Sequence, residues 1–186
     1  MKVLIGCEYS GKVRDAFIRR GHDAVSCDLL ETDSPGMHIV GDICDVIRGS
    51  IFDVIIIHPP CTALAVSGNR WYGAGMPKHQ ERINAIKWTV DLFDLAKQYA
   101  RVGVCMENPV GVLPIKPTQY IHPWQFGHGE TKKTGLWLHN LPPLEPTNGV
   151  EGREQRIWKL PPSDDRWKIR STTYQGIADA MADQWG

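Results

Sequence analysis

The run FDVIIIHPP at positions 52–60 sets Val54, Ile55, Ile56 and Ile57 in succession and then stops on two prolines. Neighbouring side chains of a strand point to opposite faces, so four consecutive apolar residues leave both faces to be buried. A parallel sheet covered by helices on both sides meets that demand, and a sheet with one face in water does not. The flanking segments supply the rest of such a sheet. VLIGC (3–7) reads as a first strand, and GKVRDAFIRRG (11–21) as a helix with Val13, Ala16 and Phe17 on one side and Gly21 as its stop. DAVSCD (23–28) is a second strand, and HIVGDICD (38–45) a third with a turn inside it. HQERINAIKWTVDLFDLAKQYA (79–100) carries Ile83, Ile86, Val90, Phe93 and Ala100 at helical spacing, and RVGVCMENP (101–109) follows as a fifth strand. Strand–helix alternation of this kind predicts an α/β fold, a mostly parallel sheet with helices on both faces.

From about Gly111 the texture changes. Residues 111–170 are rich in proline, glycine and aromatics and predict irregular structure, apart from one strand over TGLWLHN (134–140). The stretch 141–170 is too short and proline-rich to fold alone, so residues 1–186 read as one domain. A closing helix over 172–185 stacks Ile177, Met181 and Trp185 at four-residue steps.

Composition removes several function classes. No apolar run approaches the roughly 20 residues a membrane span needs, and MKVLIGCEYSGKV lacks a secretory leader's pattern, so the expected location is the cytoplasm and no membrane partner is expected. The 5 cysteines are an odd number without a C-x-x-C pair, which argues against a disulfide framework or a structural metal site. With 21 basic and 21 acidic residues the chain has no bulk charge to hold it on nucleic acid, and any such contact must come from a local patch or a partner. Lys132, Lys133, Arg153, Arg156, Lys159, Arg166, Lys168 and Arg170 are the candidates; a solvated mixed-charge surface is their simpler reading.

Open parallel sheets bind ligands at the carboxyl ends of their strands. Four chemically distinctive stretches fall there: CEYSG, SCD, HPPC and MENP. Pro59 and Pro60 fix the backbone ahead of Cys61, because proline locks φ and restricts its predecessor. A thiol held at a cleft mouth, with Glu107 arriving from a neighbouring strand end, suits covalent catalysis. Taken singly, Cys61 is equally well read as a strand-end core cysteine, and Glu107-Asn108 as a solvated loop pair.

Together these residues resemble the cytosine-C5 DNA methyltransferases, and in particular short members of the kind carried by bacteriophages. The family's Pro-Cys-x-x-x-x-x-Ser-Gly loop is matched by Pro60-Cys61 through Ser67-Gly68, and its Glu-Asn strand end by Glu107-Asn108-Pro109. Its glycine-rich cofactor loop is similar to Cys7-Glu8-Tyr9-Ser10-Gly11-Lys12. Its ribose-holding acid falls on Asp28 and its acidic–Ile pair near the adenine on Asp42-Ile43. Arg170-Ser171-Thr172-Thr173 resembles the segment that returns to the cofactor site before the last helix. The likeness covers about residues 1–110 well and the rest thinly.

The resemblance implies a Rossmann-like fold of the class I adenosylmethionine-dependent methyltransferases and S-adenosylmethionine as cofactor, held by Cys7, Glu8, Tyr9, Ser10, Gly11, Asp28, Asp42, Ile43 and Pro60. Cys61 would add to C6 of cytosine and make C5 nucleophilic; Glu107, with burial raising its pKa, would protonate or hydrogen-bond N3; Asn108 would orient that carboxylate or the loop. The base must be flipped from a duplex or lie in single-stranded DNA. Thr62, Ser67, Asn69 and Arg70 are candidates for backbone phosphates, and Lys132 and Lys133 for the roles of the family's paired arginines. The chain departs from the family at the glycine-poor loop, where Glu8 could itself bond the cofactor's amino group, and in having only residues 141–170 where a target-recognition domain stands. Little sequence readout is therefore expected without a helper subunit, although Trp124, Trp158 and Trp167 could stack on exposed bases. Two alternatives stand beside this reading: the same chemistry on a free cytosine nucleotide or with a modified sulfonium donor, and a catalytically silent protein that binds nucleic acid or a partner.

Overall fold

The computed structural model describes residues 1–186 except for the side chain of Trp158, so the stacking expectation for that residue lies outside the described residues. Strands β1 (Lys2–Gly6), β2 (Asp23–Asp28), β3 (His38–Val40), β4 (Phe52–Ile57), β5 (Ala100–Pro109), β6 (Gln119–Ile121) and β7 (Thr134–His139) form one sheet in the order β3-β2-β1-β4-β5-β7-β6. The first five run parallel, and β7 lies antiparallel between β5 and β6.

The apolar run in β4 does what its pattern requires. Val54 and Ile56 enter one core with Val13 and Phe17 of helix α1 (Lys12–Arg19) and Ile177, Met181 and Trp185 of helix α7 (Gln175–Trp185). Ile55 and Ile57 enter the other with Ile43 and Ile47 of helix α2 (Ile43–Gly49) and Leu92, Phe93 and Ala96 of helix α4 (His79–Tyr99). All four β4 residues are fully buried.

Three elements differ from expectation. The predicted strand over 38–45 is a strand only to Val40; Asp42 then caps α2, its carboxylate accepting from Cys44 N at 2.7 Å. An acid that satisfies a free helical N–H turns the chain into helix where alternation alone suggested strand. In α4 the expected stripe is rotated: Ile83 is 45% exposed, and the buried face carries Arg82, Thr89, Leu92, Phe93 and Ala96. Arg82 is drawn inward by carbonyl acceptors of the preceding loop, which turns the helix by about one residue. The region expected to be irregular holds β6, too short to show a period, besides the short helices α5 (Arg156–Lys159) and α6 (Arg166–Ser171). Buried Glu130 anchors it by accepting from Ile157 N at 2.8 Å. Among the described residues, no helix is long and apolar enough to cross a membrane.

Candidate active site

Strand order reverses beside β1, whose neighbours are β2 on one side and β4 on the other. A crevice opens at such a switch point because the connections leave in opposite directions. Two cavities occupy it, and Cys7 and Pro60 line both. The wider, about 220 Å³, lies over β2 and α2 and is lined by Cys27, Asp28, Leu29, Asp42, Ile43 and Trp88. The narrower, about 80 Å³, is lined by Cys61, Glu107, Asn108, Lys132 and His58, with Glu8, Tyr9 and Ser10 on the β1 side and Arg170 through Thr173 across from it. The wider part is the roomier for a nucleoside-sized group.

Cys61 follows β4 by four residues and is half-buried rather than sealed. Asn108 Nδ2 donates to Pro59 O at 2.8 Å and so ties the end of β5 to the Pro-Pro turn that carries the thiol. His58 Nδ1 donates to Glu107 Oε2 at 3.1 Å. Lys132 Nζ donates to Arg170 O at 2.9 Å, which closes the far wall onto the segment before α7.

Charge in the narrow cavity runs against one expectation. Burial pushes the Glu107 carboxyl up, but the His58 hydrogen bond and the Lys132 charge together outweigh it and hold the group below the usual carboxylate range. Glu107 is therefore ionised at neutral pH, and an upward shift that would make it an acid is not found. Burial and then the Glu107 charge push the Cys61 thiol up, with Lys132 and Arg170 opposing. Removing the Glu107 charge should accordingly raise the thiolate fraction. In Glu107→Gln, labelling of Cys61 by iodoacetamide at pH 7, read by peptide mass spectrometry, should accelerate roughly threefold or more, and in Lys132→Met it should slow. Equal rates in all three proteins would mean that neither charge reaches the sulfur.

The β1 side of the crevice holds a buried carboxylate with an open valence for a donor. Glu8 is 4% exposed; its Oε1 accepts from Val13 N at 2.9 Å and Ser10 Oγ at 3.0 Å, while Oε2 is buried without a partner among the described residues. A buried carboxylate oxygen lacking a donor is costly, and a cationic amino group would relieve it. With Asp28 and the aromatic wall of Trp88 in the adjoining cavity, the residues fit an adenosyl–amino acid conjugate. Burial and the Asp28 charge drive the Cys7 thiol far upward, so Cys7 contributes packing rather than charge.

Other expected site residues lie elsewhere. Gly11 lines neither cavity; it caps α1 with φ 71°, and a side chain there would collide with the Arg14 guanidinium. Thr62, Ser67, Asn69 and Arg70 are exposed outside both cavities, and Asn69 Oδ1 is already taken by Arg82 at 2.7 Å. Lys133 sits over the Tyr120 ring, away from Lys132's cavity. Trp167 packs near Tyr9 with 49% exposure, and Trp124 lies under Arg153. Sequence reasoning passed over His58 and Trp88. A histidine at a strand end and a tryptophan in a helix read equally well as core, and no local signal separates the cases.

The order β3-β2-β1-β4-β5-β7-β6 with β7 reversed is that of the class I adenosylmethionine-dependent methyltransferases, and this chain has that fold. A protein described as a DNA modification methyltransferase encoded within a prophage of E. coli is similar in structure (TM-score 0.54, 12% identity), covering 87% of this chain. The chain spans 55% of that protein's length. An adenosylmethionine-dependent methyltransferase of Neisseria gonorrhoeae also matches, over 73% of this chain and 61% of its own, at 14% identity and a TM-score of 0.40. No protein-family model matches the chain. No curated protein matches it either.

Proposed function

We propose that this chain transfers a methyl group from S-adenosylmethionine to C5 of cytosine in DNA, through a transient bond between Cys61 and C6 of the base. The observation that carries the reading is the shared crevice: a half-buried thiol, Glu107 and Asn108 line a narrow cavity that shares Cys7 and Pro60 with one lined by Asp28 and Asp42. The unpartnered Glu8 Oε2 supports a cofactor with an amino group at the junction. The likeness to a DNA modification methyltransferase supports DNA over a free nucleotide.

Bound adenosylmethionine supplies an electrophilic methyl group on a sulfonium. The protein's part is to make C5 of the base nucleophilic. Cys61 Sγ adds to C6, and the proton it gives up goes to N3, so no net charge is left on the ring. Asn108 holds the Pro59 carbonyl and with it the angle from which the sulfur approaches. Glu107, ionised, accepts from the amino group of the base rather than protonating N3. Lys132 balances the carboxylate across the cavity. A base stacked in duplex DNA cannot reach Sγ, so the substrate is flipped out or single-stranded.

DNA carrying 5-fluorocytosine tests the reading. Fluorine in place of the C5 hydrogen blocks the final elimination, so incubation with adenosylmethionine should leave a covalent adduct whose mass maps to Cys61, and Cys61→Ser should form none. Failure of the native protein to form any adduct, on single- and double-stranded DNA alike, would sink the proposal.

A further inference from the structure

Loss of the C5 hydrogen needs a base, and the residues described so far leave that post unfilled. Cys61 is the nucleophile, Lys132 and Arg170 are cations, and Glu8 belongs to the β1 side with one oxygen committed to Val13 and Ser10. Glu107 is a carboxylate held in its ionised form, too weak a base to draw a proton from carbon.

His58 remains. It lines the same cavity as Cys61, three residues ahead of it on the same strand end, and is 9% exposed. Its Nδ1 lies 3.1 Å from Glu107 Oε2. An ionised carboxylate only accepts hydrogen bonds, so Nδ1 carries the proton and, in the neutral ring, Nε2 is left with a lone pair. That atom is buried and has no partner among the described residues, Cys61 included. An unsatisfied buried acceptor lining one cavity with a nucleophile, on a ring oriented by a carboxylate, is the arrangement of a general base. Asn108 Oδ1, buried and equally unpartnered on the neighbouring wall, marks the same space as made for a polar ligand.

We propose that His58 is a catalytic residue whose Nε2 removes the C5 proton from the Cys61-bound base, with Glu107 holding the imidazolium that results. The inference rests on the covalent reading above. In the step, the C5–H bond breaks and its proton goes to Nε2. The electron pair left behind forms the C5–C6 double bond, the C6–S bond breaks, and its pair returns to Sγ, which takes back the proton held on N3. The imidazolium passes its proton to water.

Two measurements on His58→Gln and His58→Asn separate this step from addition. Glutamine can still donate to Glu107 but offers no basic nitrogen. The first measurement is adduct formation on 5-fluorocytosine DNA, which needs no C5 deprotonation. The second is release of tritium from DNA carrying [5-³H]cytosine, followed with adenosylmethionine and also without it, where reversible addition of Cys61 and protonation at C5 let the label exchange. Both variants should form the adduct within about threefold of the native rate while releasing tritium roughly 10²- to 10⁴-fold more slowly, in both conditions. Thermal unfolding checks that each variant is folded. Native-like tritium release by the variants overturns the proposal. Parallel loss of adduct and release also overturns it, since His58 would then serve addition or positioning. An absence of adduct in the native protein removes the covalent reading itself and the inference with it.

Discussion

Arg82→Ala is expected to lower the thermal midpoint by roughly 6–12 °C, the equivalent of about 3 kcal/mol in a chain of this size. Arg82 is 5% exposed and ties down the loop that follows the candidate nucleophile. Its Nε donates to Ala63 O at 2.7 Å, one terminal nitrogen to Asn69 Oδ1 at 2.7 Å, and the other to Ala65 O at 3.3 Å. Truncation strands three acceptors and opens a void, and either alone costs about 1–3 kcal/mol when water cannot enter freely. Lysine should not rescue, because one ammonium cannot span three acceptors that a planar guanidinium fork reaches together. The same loop sets the position of Cys61, so iodoacetamide labelling of Cys61 in Arg82→Ala should also quicken as the loop loosens. A midpoint within about 2 °C of the native protein, with unchanged labelling, would show that Leu64 packing and the Val112 N to Leu64 O bond hold the loop without Arg82.

Glu8→Gln is expected to weaken adenosylmethionine by roughly 1.5–3 kcal/mol, about 10- to 150-fold in Kd, measured by calorimetry. The glutamine oxygen can still accept from Val13 N and Ser10 Oγ, which keeps the start of α1 in place and the thermal midpoint of the free protein nearly unchanged. What is lost is the charge and the unpartnered Oε2, the atom that would meet a cationic amino group. Glu8→Ala, by contrast, should lower stability as well, since Val13 N would then be buried without an acceptor. Native-like affinity in Glu8→Gln would place the cofactor's amino group elsewhere and leave Oε2 without an explanation.

The parallel core is legible in the sequence. Val54 to Ile57 could satisfy both faces only inside a covered sheet, and Val13, Phe17, Ile177 and Met181 carried the helical spacing that covers one of them. The strand ends that bear Cys61, Glu107, Asn108 and Asp28 were legible too, because proline, charge and position after an apolar run are local signals. The limits of such signals explain the differences. Ile43 and Cys44 read as strand until the Asp42 cap is seen. Ile83 and Val90 read as core until Arg82 is found pulled inward. An arginine on a helix is expected outside, since its burial depends on acceptors that no pattern within the helix reveals.

Chain periodicity and turn chemistry therefore account for the layers, their order along the chain and the strand ends where a ligand belongs, because those depend on neighbours within one or two turns of backbone. Partnership across the crevice does not. His58 meets Glu107 across 49 residues of sequence, Asn108 meets Pro59 across the same separation, and Lys132 meets Arg170 across 38. Which atom is satisfied and which is left open, and which carboxylate is ionised, follow from how the strand ends and the segment before α7 converge in space. Those are properties of packed neighbours and excluded water, and they came into view with the folded chain.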